Sequence, residues 1–294
     1  MNRIALIDAD EIAYKVALRY EEVWYEVHKD DILKWKYRLK EESVESIGNR
    51  DDLEKVRKRV ALDPKGYEEV LDRIISKIIS DTSSTNIKLY LSGEDNFRYD
   101  LATLLPYKGT RDDSTKSFHL KLVKDRIRDL GGRSVEFLEA DDMMSSYQTT
   151  YQYANEESII CSSDKDLRTV PGLNFNIGKG KVTTISEDEA NYNFFYQLLI
   201  GDTTDNIPSP YGLGDVGAIR FLDPLRGSSP LQYYNAIVPF YLNHLKRVGK
   251  DGKYKTKWYT SQDVHKILWE IGNLLWMHRT LDPEERWQLY EHLA

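Results

Sequence analysis

Hydrophobic residues in the first two thirds of the chain fall into short runs that alternate with longer segments of helical periodicity. The run Ile4–Ile7 predicts a strand, and the segment from Glu11 onward is compatible with a helix. Tyr67–Ile79 repeats its apolar residues at helical spacing, which predicts a helix packed on a sheet. Further strands are predicted at 88–91, 134–137 and 158–161. Strands that alternate with helices favour an α/β fold with a mostly parallel, doubly wound sheet.

The pattern changes after Gly201, where glycine and proline become frequent and strand signals have faded since about 182–184. We therefore predict an α/β domain over residues 1–200 and a helical region over residues 201–294. A stretch at about 29–62 is dense in charge and has little regular apolar face, so we predict an exposed helical insertion there.

The composition narrows the class of protein. The single cysteine, Cys161, cannot form an internal disulfide, and no cysteine and histidine cluster has the spacing of a zinc site, so we expect a reducing cytoplasm. The apolar run that precedes Asp8 is too short for a signal peptide, and no apolar stretch reaches membrane length. A membrane partner is therefore not expected.

Acidic residues cluster where the predicted strands end. In an open parallel sheet, ligands collect outside the carboxyl ends of the strands. The clusters are Asp8 with Asp10, Glu139 with Asp141 and Asp142, Asp164 with Asp166, and Asp202 with Asp205. Acids two apart in extended chain lie on one side, and acids three apart share a helix face. We therefore expect these carboxylates to converge, although each cluster alone is also typical of a helix cap.

Converging carboxylates need compensation, because they repel one another and raise one another's pKa values. Oxygen ligands suit Mg²⁺ or Mn²⁺ better than zinc. Two such ions can bind a phosphodiester and stabilise the leaving oxygen. The net charge of −7 argues against a nucleic-acid partner at first, but bound cations reverse the local sign, so net charge does not decide.

The order of these motifs resembles the phage and bacterial 5′ nuclease family, which includes flap endonucleases and phage 5′→3′ exonucleases. The resemblance rests on LIDAD, YKGTRD, EADD, SSDKD and GDTTDNIPSPYGLGDVGA, and it extends from Ile4 to about Leu222 without the insertion. It implies the PIN/5′ nuclease-like fold, two Mg²⁺ ions for which Mn²⁺ substitutes, and metal-site carboxylates at Asp8, Glu139, Asp141, Asp164, Asp166, Asp202 and Asp205, with Asp142 beside them.

The resemblance also implies residues that handle DNA. Lys108 and Arg111 match catalytic basic residues at the base of an arch at about 105–130, and Tyr107 beside them is a candidate DNA contact. The stretch Leu105–Arg133 holds eight basic and four acidic residues, which favours entry of a 5′ strand. The glycines of a helix-turn-helix that grips the DNA backbone, with K⁺ at the turn, are Gly212, Gly214 and Gly217.

One acidic position of the family has no clear match, because relatives place an aspartate after the second strand where this chain has Glu94 and Asp95. Either residue is a candidate for the metal site.

The resulting hypothesis is a monomeric 5′→3′ exonuclease or flap endonuclease that hydrolyses DNA at 5′ ends, flaps or RNA primers during phage DNA replication. Two rivals stay open. IALIDADEIA and GDTTD are similar to motifs of haloacid dehalogenase-like phosphatases, although Glu11 departs from that pattern. The chain could also be a DNA-junction binding protein without catalysis. A toxin-type ribonuclease shares the acids but would normally stop before the helical region.

Overall fold

The structure is a computed structural model, and it describes residues 2–29, 32–37, 54–111, 116–151, 157–209, 213–251, 264–280, 282 and 284–288. The strands, in chain order, are β1 (Arg3–Asp8), β2 (Glu21–Lys29), β3 (Ile32–Tyr37), β4 (Glu54–Ala61), β5 (Asn86–Ser92), β6 (Arg133–Val135), β7 (Glu157–Cys161), β8 (Gly172–Asn176) and β9 (Lys181–Ile185). The α-helices are α1 (Ala9–Ala17), α2 (Tyr67–Thr82), α3 (Phe97–Leu101), α4 (Leu120–Asp129), α5 (Ala140–Tyr151), α6 (Glu187–Ile200), α7 (Asp215–Leu222), α8 (Pro230–Asp251) and α9 (Val264–Leu275).

In the described residues, a central sheet has the strand order β6-β5-β1-β7-β8-β9. Every neighbouring pair is parallel except β8 with β9, which is antiparallel. The predicted doubly wound α/β class and the predicted strands in β1, β5 and β7 are confirmed. Strand β8, which starts at Gly172 and carries Asn174 and Asn176, was not predicted, because glycine and asparagine are uncommon in strands.

Both faces of the sheet are buried, and β1 shows why. Ala5 and Ile7 pack with α1, α2 and α4 on one side, whereas Ile4 and Leu6 pack with α5 on the other. Successive strand residues point to opposite faces, so a continuous apolar run is what a strand between two helical layers requires. The short run at the start of the chain therefore sets the centre of the domain.

The prediction of a helical insertion at about 29–62 is wrong. The described residues there form an antiparallel sheet in the order β3-β2-β4, and β2 begins already at Glu21. Val23, Tyr25 and Val27 alternate with other residues along β2, and β-branched and aromatic residues favour strands. The dense charge obscured this two-residue period. Residues 30–31 and 38–53 of the predicted insertion lie outside the described residues.

The C-terminal region is helical over its described residues and has its own core. Buried side chains of α6, α7, α8 and α9 pack together, and Phe195 stacks on Tyr233 with ring centroids 4.9 Å apart. Helix α6 belongs to this core although it precedes the predicted boundary at residue 200, which stays a prediction. Among the described residues, none of the helices combines the length and the apolar character needed to cross a membrane.

Candidate active site

The acids that follow the strands collect at one edge of the sheet. A cavity of about 140 Å³ is lined there by Tyr107, Lys108 and Arg111 and by six carboxylates, which are Glu139, Asp141, Asp164, Asp166, Asp202 and Asp205. These six carboxylates belong to segments that follow the carboxyl ends of β6 and β7 and to the turn after α6. Convergence of these residues was the expectation from the sequence, and the structure brings them together.

Asp8 lies at the end of the central strand and begins α1 as its N-cap. Its carboxylate accepts hydrogen bonds from Glu11 N at 2.9 Å and from Ser162 Oγ at 2.9 Å. Burial, with smaller contributions from the charges of Glu11 and Asp10, raises the pKa of Asp8 to about 7. Asp8 is therefore both a helix cap and a carboxylate whose negative charge the metal-free protein tolerates poorly.

The cavity acids from α5 and from the segment after β7 are destabilised in the same way. Burial and then the charges of Asp8, Asp164 and Glu139 raise the pKa of Asp141 well above its usual value. Asp164 lies at the exposed rim, yet the surrounding protein and the neighbouring acids raise its pKa. For Asp166, burial and then the charge of Asp164 raise the pKa to about 7.

Basic side chains compensate the other cavity acids. Lys108 pairs with Glu139, Arg111 pairs with Asp205, and Lys165 Nζ lies 2.9 Å from Asp202 Oδ2. Basic side chains therefore supply part of the compensation that converging carboxylates need. Within the described residues, no ion pair reaches the four carboxylates with raised pKa values, namely Asp8, Asp141, Asp164 and Asp166.

The chemistry of this donor set fits a hard divalent cation. The donors are all oxygens, and several are desolvated carboxylates that repel one another. In the described part of the chain, however, no group of three or more acidic, histidine or cysteine side chains is arranged to hold a metal ion as it stands. Three of the acids are paired with lysine or arginine instead, so these three become available to a metal ion when the basic side chains move.

Local turns, rather than extended chain or helix, position most of these acids. Asp141 lies in the first turn of α5, just after Glu139 and Ala140, so this pair is not in extended chain as expected. Asp164 Oδ1 accepts from Asp166 N at 2.8 Å within a turn. Asp202 Oδ1 likewise accepts from Asp205 N at 3.1 Å, so this pair shares a turn and not a helix face.

Tyr107 is a correction to the sequence prediction of a DNA contact. It is 4% exposed, and its hydroxyl lies 2.8 Å from Asp205 Oδ2 and 3.1 Å from Glu139 Oε2. Burial and then the charge of Glu139 raise its pKa, so the hydroxyl stays protonated. The hydroxyl of Tyr107 thus links two carboxylates from distant elements. Its ring is buried and is not accessible to DNA.

The backbone at the base of the arch is held in a strained conformation. Lys108 has φ of +54° and Asn206 has φ of +59°, which is the left-handed region and is uncommon for residues other than glycine. Lys108 N donates to Asp205 O at 2.9 Å, and Asn206 Nδ2 donates to Pro106 O at 2.9 Å. These bonds join the arch base to the turn after α6.

Asp142 is also a correction, because its carboxylate points away from the cavity. Both of its oxygens bind the fully buried Arg98, at 2.6 Å and 2.8 Å. Burial alone would raise the pKa of Asp142, but the charge of Arg98 outweighs burial and lowers it. The carboxylate oxygens of Asp142 also accept hydrogen bonds from Glu139 N at 3.2 Å and from His278 N at 3.3 Å. Asp142 therefore does not line the cavity and instead stabilises the structure beside it.

The remaining predicted residues divide into two groups. Glu94 and Asp95 are exposed and do not line the cavity. Gly214 is the N-cap of α7, and no described atom lies within 4 Å of where its Cβ would be, whereas Gly217 lies inside α7 against Leu213. Gly212 lies outside the described residues, so the DNA grip at these glycines stays a prediction.

Sequence reasoning missed two basic residues of the site. Lys165 stands between Asp164 and Asp166 in the quoted SSDKD motif, and a cation between two candidate ligands was a usable signal. Arg98 gave no local signal, because its partner Asp142 is 44 positions away along the chain.

The sequence is similar to phage exonucleases over part of its length. No family model matches it. It is 29% identical over 140 residues to the exonuclease of Escherichia phage T7, which covers 45% of this chain and 42% of the T7 protein. The exodeoxyribonuclease of Enterobacteria phage T3 is also 29% identical, over 45% of this chain and 41% of the T3 protein. The alignment thus spans less than half the length of these curated relatives.

The fold is shared with solved structures of a phage T5 protein. A mutant of the T5 5′-exonuclease superposes with a TM-score of 0.54 at 11% identity, over 94% of this chain and 88% of that chain. The T5 flap endonuclease in a pseudo-enzyme-product complex with DNA and metal ions gives 0.55 at 12% identity, over 94% and 89%. The chain therefore has the fold of these T5 nuclease structures and resembles phage exonucleases in sequence over part of its length.

Proposed function

We propose that this protein is a divalent-metal-dependent 5′ nuclease that hydrolyses DNA phosphodiesters at 5′ ends or junctions. The observation that carries the proposal is the cavity at the edge of the sheet, where acids with raised pKa values face Lys108 and Arg111. The similar proteins, which are phage exonucleases and a flap endonuclease in complex with DNA and metal ions, support the same activity.

The acids divide into two sets by their surroundings. Asp8, Asp141, Asp164 and Asp166 have no ion-pair partner among the described residues and would hold the cations, joined by Glu139, Asp202 and Asp205 when their basic partners move. We propose Mg²⁺ as the physiological cation, with Mn²⁺ as a substitute and two ions in the site. When bound, these ions would activate water and stabilise the leaving oxygen.

The basic residues supply the complementary half of the site. Lys108 and Arg111 are held at the cavity by Glu139 and Asp205. A phosphodiester that enters the cavity offers these cations oxygens in place of the carboxylates, and the planar guanidinium of Arg111 can bind two phosphate oxygens at once. The same exchange releases two carboxylates toward the metal ions. Substrate binding and completion of the metal site are therefore coupled in this proposal.

Digestion of defined substrates tests the function. The protein is incubated with 5′-labelled flap, nicked, blunt and RNA-primed duplexes, with Mg²⁺ and with chelator. We expect Mg²⁺-dependent release of 5′ products, whose length separates exonuclease from flap endonuclease action and shows whether RNA is accepted. Binding of flaps without cleavage at any Mg²⁺ concentration would identify a junction-binding protein. A phosphoenzyme trapped with beryllium fluoride would identify the phosphatase.

The first mutational prediction concerns Lys108. Lys108→Ala should lower the rate of single-turnover cleavage by about 10²- to 10³-fold, because it removes a positioned cation from the reacting phosphate. Lys77→Ala is the matched control, since Lys77 is exposed and pairs with the neighbouring Asp81 on α2, outside the arch. The control should cleave within about twofold of wild type, as surface pairs contribute little. Equal losses in both variants would remove Lys108 from the mechanism.

The second prediction concerns pH. Asp8 and Asp166 have pKa values raised from 3.8 to about 7, so the stability they contribute is complete below about 4 and is lost as pH rises to 7. The melting temperature in chelator should therefore fall between about pH 4 and 7, and saturating Mg²⁺ should remove the slope. Asp166→Asn should make the fall of the melting temperature with pH in chelator shallower. A melting temperature that rises with pH in chelator would contradict this account.

Several finer properties belong to the same proposal. We propose that residues 201–294 grip duplex backbone at the N-terminus of α7, where Gly214 is the N-cap and a glycine lets backbone amides approach a phosphate closely. K⁺ at the turn, a monomeric state and the division at residue 200 stay predictions. Flap affinity in K⁺ against Li⁺ buffers and sedimentation of the free protein test the first two.

A further inference from the structure

Lys165 is the most exposed of the three cations that line the cavity. Its side chain is 61% exposed, compared with 15% for Lys108 and 49% for Arg111. The ammonium group of Lys108 is also held by the Tyr107 ring, whose centroid lies 4.9 Å away. Within the described residues, the one ion pair of Lys165 is with Asp202. Lys165 is therefore the cation of the cavity that is held least firmly.

The oxygen of Asp202 that Lys165 contacts has no other partner in the described part of the chain. Asp202 Oδ1 accepts hydrogen bonds from Thr204 N at 2.7 Å and from Asp205 N at 3.1 Å. Asp202 Oδ2 lies 2.9 Å from Lys165 Nζ. The turn therefore fixes the carboxylate through one oxygen, and the other oxygen holds a cation that can be exchanged. A divalent cation and the Lys165 ammonium group would compete for this second oxygen.

The acids on either side of Lys165 in the sequence also depend on its charge. Asp164 and Asp166 line the cavity, and burial and neighbouring carboxylates raise their pKa values, whereas the charge of Lys165 acts in the opposite direction. One ammonium group thus compensates three acids at this end of the cavity. A divalent cation bound among these acids would supply twice the charge and would repel the ammonium group.

The surface beside Lys165 leads from the cavity to α7. Burial and then a hydrogen bond to Asp215 raise the pKa of Tyr196, whereas the charge of Lys165 lowers it. Asp215 lies in the first turn of α7, at the helix end for which we propose a contact with duplex backbone. The exposed Lys165 side chain therefore lies close to the surface that separates the cavity from the N-terminus of α7.

A lysine released from an acid is a point charge on a flexible stem, which suits a phosphate group. We propose that Lys165 is a substrate-binding residue that exchanges partners. It neutralises Asp202 in the metal-free protein, and it binds the DNA phosphate between the cavity and α7 once a divalent cation takes its place at Asp202. Cation binding and DNA binding therefore favour each other at this residue. The inference rests on the proposed nuclease function and adds a residue to the same site.

Three substitutions test the exchange. Lys165→Gln removes the charge but keeps a donor for Asp202, Lys165→Arg keeps the charge, and Lys179→Gln is the matched control. Lys179 is exposed in the turn between β8 and β9 and does not line the cavity. Calorimetry measures the affinity for Mn²⁺ without DNA. Fluorescence anisotropy measures the affinity for a 5′-flap duplex in saturating Ca²⁺, a cation that also prefers oxygen ligands. Gel electrophoresis verifies that the DNA stays intact, and circular dichroism verifies the fold of each variant.

The two affinities of Lys165→Gln should change in opposite directions. Mn²⁺ should bind about tenfold more tightly, because a positive charge close to the divalent cation is removed. The flap should bind about five- to tenfold more weakly, with a log–log salt slope smaller by about 0.9, the value for one phosphate that is no longer neutralised. Lys165→Arg should bind the flap within about twofold of wild type, and Lys179→Gln should stay within about twofold in both measurements.

Opposite changes are not expected of a residue that only stabilises the fold, because loss of structure weakens both affinities. Mn²⁺ binding by Lys165→Gln that is unchanged or weaker would overturn the inference. Flap binding by Lys165→Gln equal to that of wild type would do the same, as would equal effects of Lys179→Gln.

The experiment separates this inference from the proposed function. If Lys165→Gln shows the two opposite changes but the wild-type protein cleaves nothing in Mg²⁺, the nuclease is removed and the exchange at Lys165 is kept. If the wild-type protein cleaves flaps while Lys165→Gln binds Mn²⁺ and DNA as wild type does, the nuclease is kept and the exchange is removed.

Discussion

Asp141→Asn is expected to abolish cleavage and at the same time to stabilise the metal-free protein. Loss of a metal ligand should lower single-turnover cleavage by at least about 10³-fold, because bound cations supply several kcal/mol of transition-state stabilisation. Burial and the charges of Asp8, Asp164 and Glu139 raise the pKa of Asp141, so its ionised form destabilises the fold above about pH 4. Asparagine removes that charge. Melting in chelator at pH 8 and flap cleavage in Mg²⁺ are the two measurements.

The neighbouring residue provides the control for Asp141. Asp142→Asn makes the same chemical change one position along α5, yet it should lower the melting temperature in chelator. The pKa of Asp142 is lowered by Arg98, so its contribution to stability is present at neutral pH and is lost only as pH falls below about 4. If both variants shifted the melting temperature in the same direction, the assignment of Asp141 to the cavity and Asp142 to the support would be wrong.

Arg98→Met is expected to cost about 3–5 kcal/mol of folding free energy, which is typical for the loss of one partner from a buried ion pair. The Arg98 guanidinium is fully buried and also donates to Leu274 O at 3.0 Å and Trp276 O at 2.8 Å. Methionine fills a similar volume but leaves Asp142 charged and two carbonyl groups without a donor. Equilibrium unfolding in urea measures the loss.

Two further variants make the Arg98 result interpretable. Arg128→Met breaks an exposed pair with Asp125 on α4 and should leave the free energy of unfolding nearly unchanged. Asp142→Leu added to Arg98→Met removes the unpaired charge and should restore part of the stability, because apolar replacement of a whole buried pair is often tolerated. A double variant less stable than Arg98→Met alone would mean that the charge of Asp142 is not what makes the single substitution costly.

The central architecture was predictable because it depends on local pattern. The apolar run at Ile4–Ile7 and the helical spacing of Tyr67–Ile79 report burial directly, and the acids that follow strands must lie at one edge of a parallel sheet. The edge of the sheet at which the acids collect could therefore be predicted without knowledge of tertiary contacts. The insertion was not predictable in the same way, since charged residues on both faces of β2 and β4 hide the alternation of these strands.

The division of labour among the acids could not be read from sequence. Asp141 and Asp142 are the same residue type in adjacent positions, and helix geometry turns them about 100° apart. Only the position of Arg98, which lies on α3, decides which of them faces the cavity. Likewise, the pairing of Lys108 with Glu139 and of Arg111 with Asp205 joins residues 31 and 94 positions apart.

The hydrogen bonds of Arg98 have a consequence for anyone who wishes to study the two halves of the chain separately. The carbonyl groups that receive this guanidinium belong to the end of α9 and the residues just after it, although Arg98 itself lies within the α/β half. A fragment truncated at residue 200 would carry an arginine in an apolar interior with half its acceptors missing. We expect such a fragment to aggregate when it is expressed. The two halves have different chemical roles, but they should not fold independently of each other.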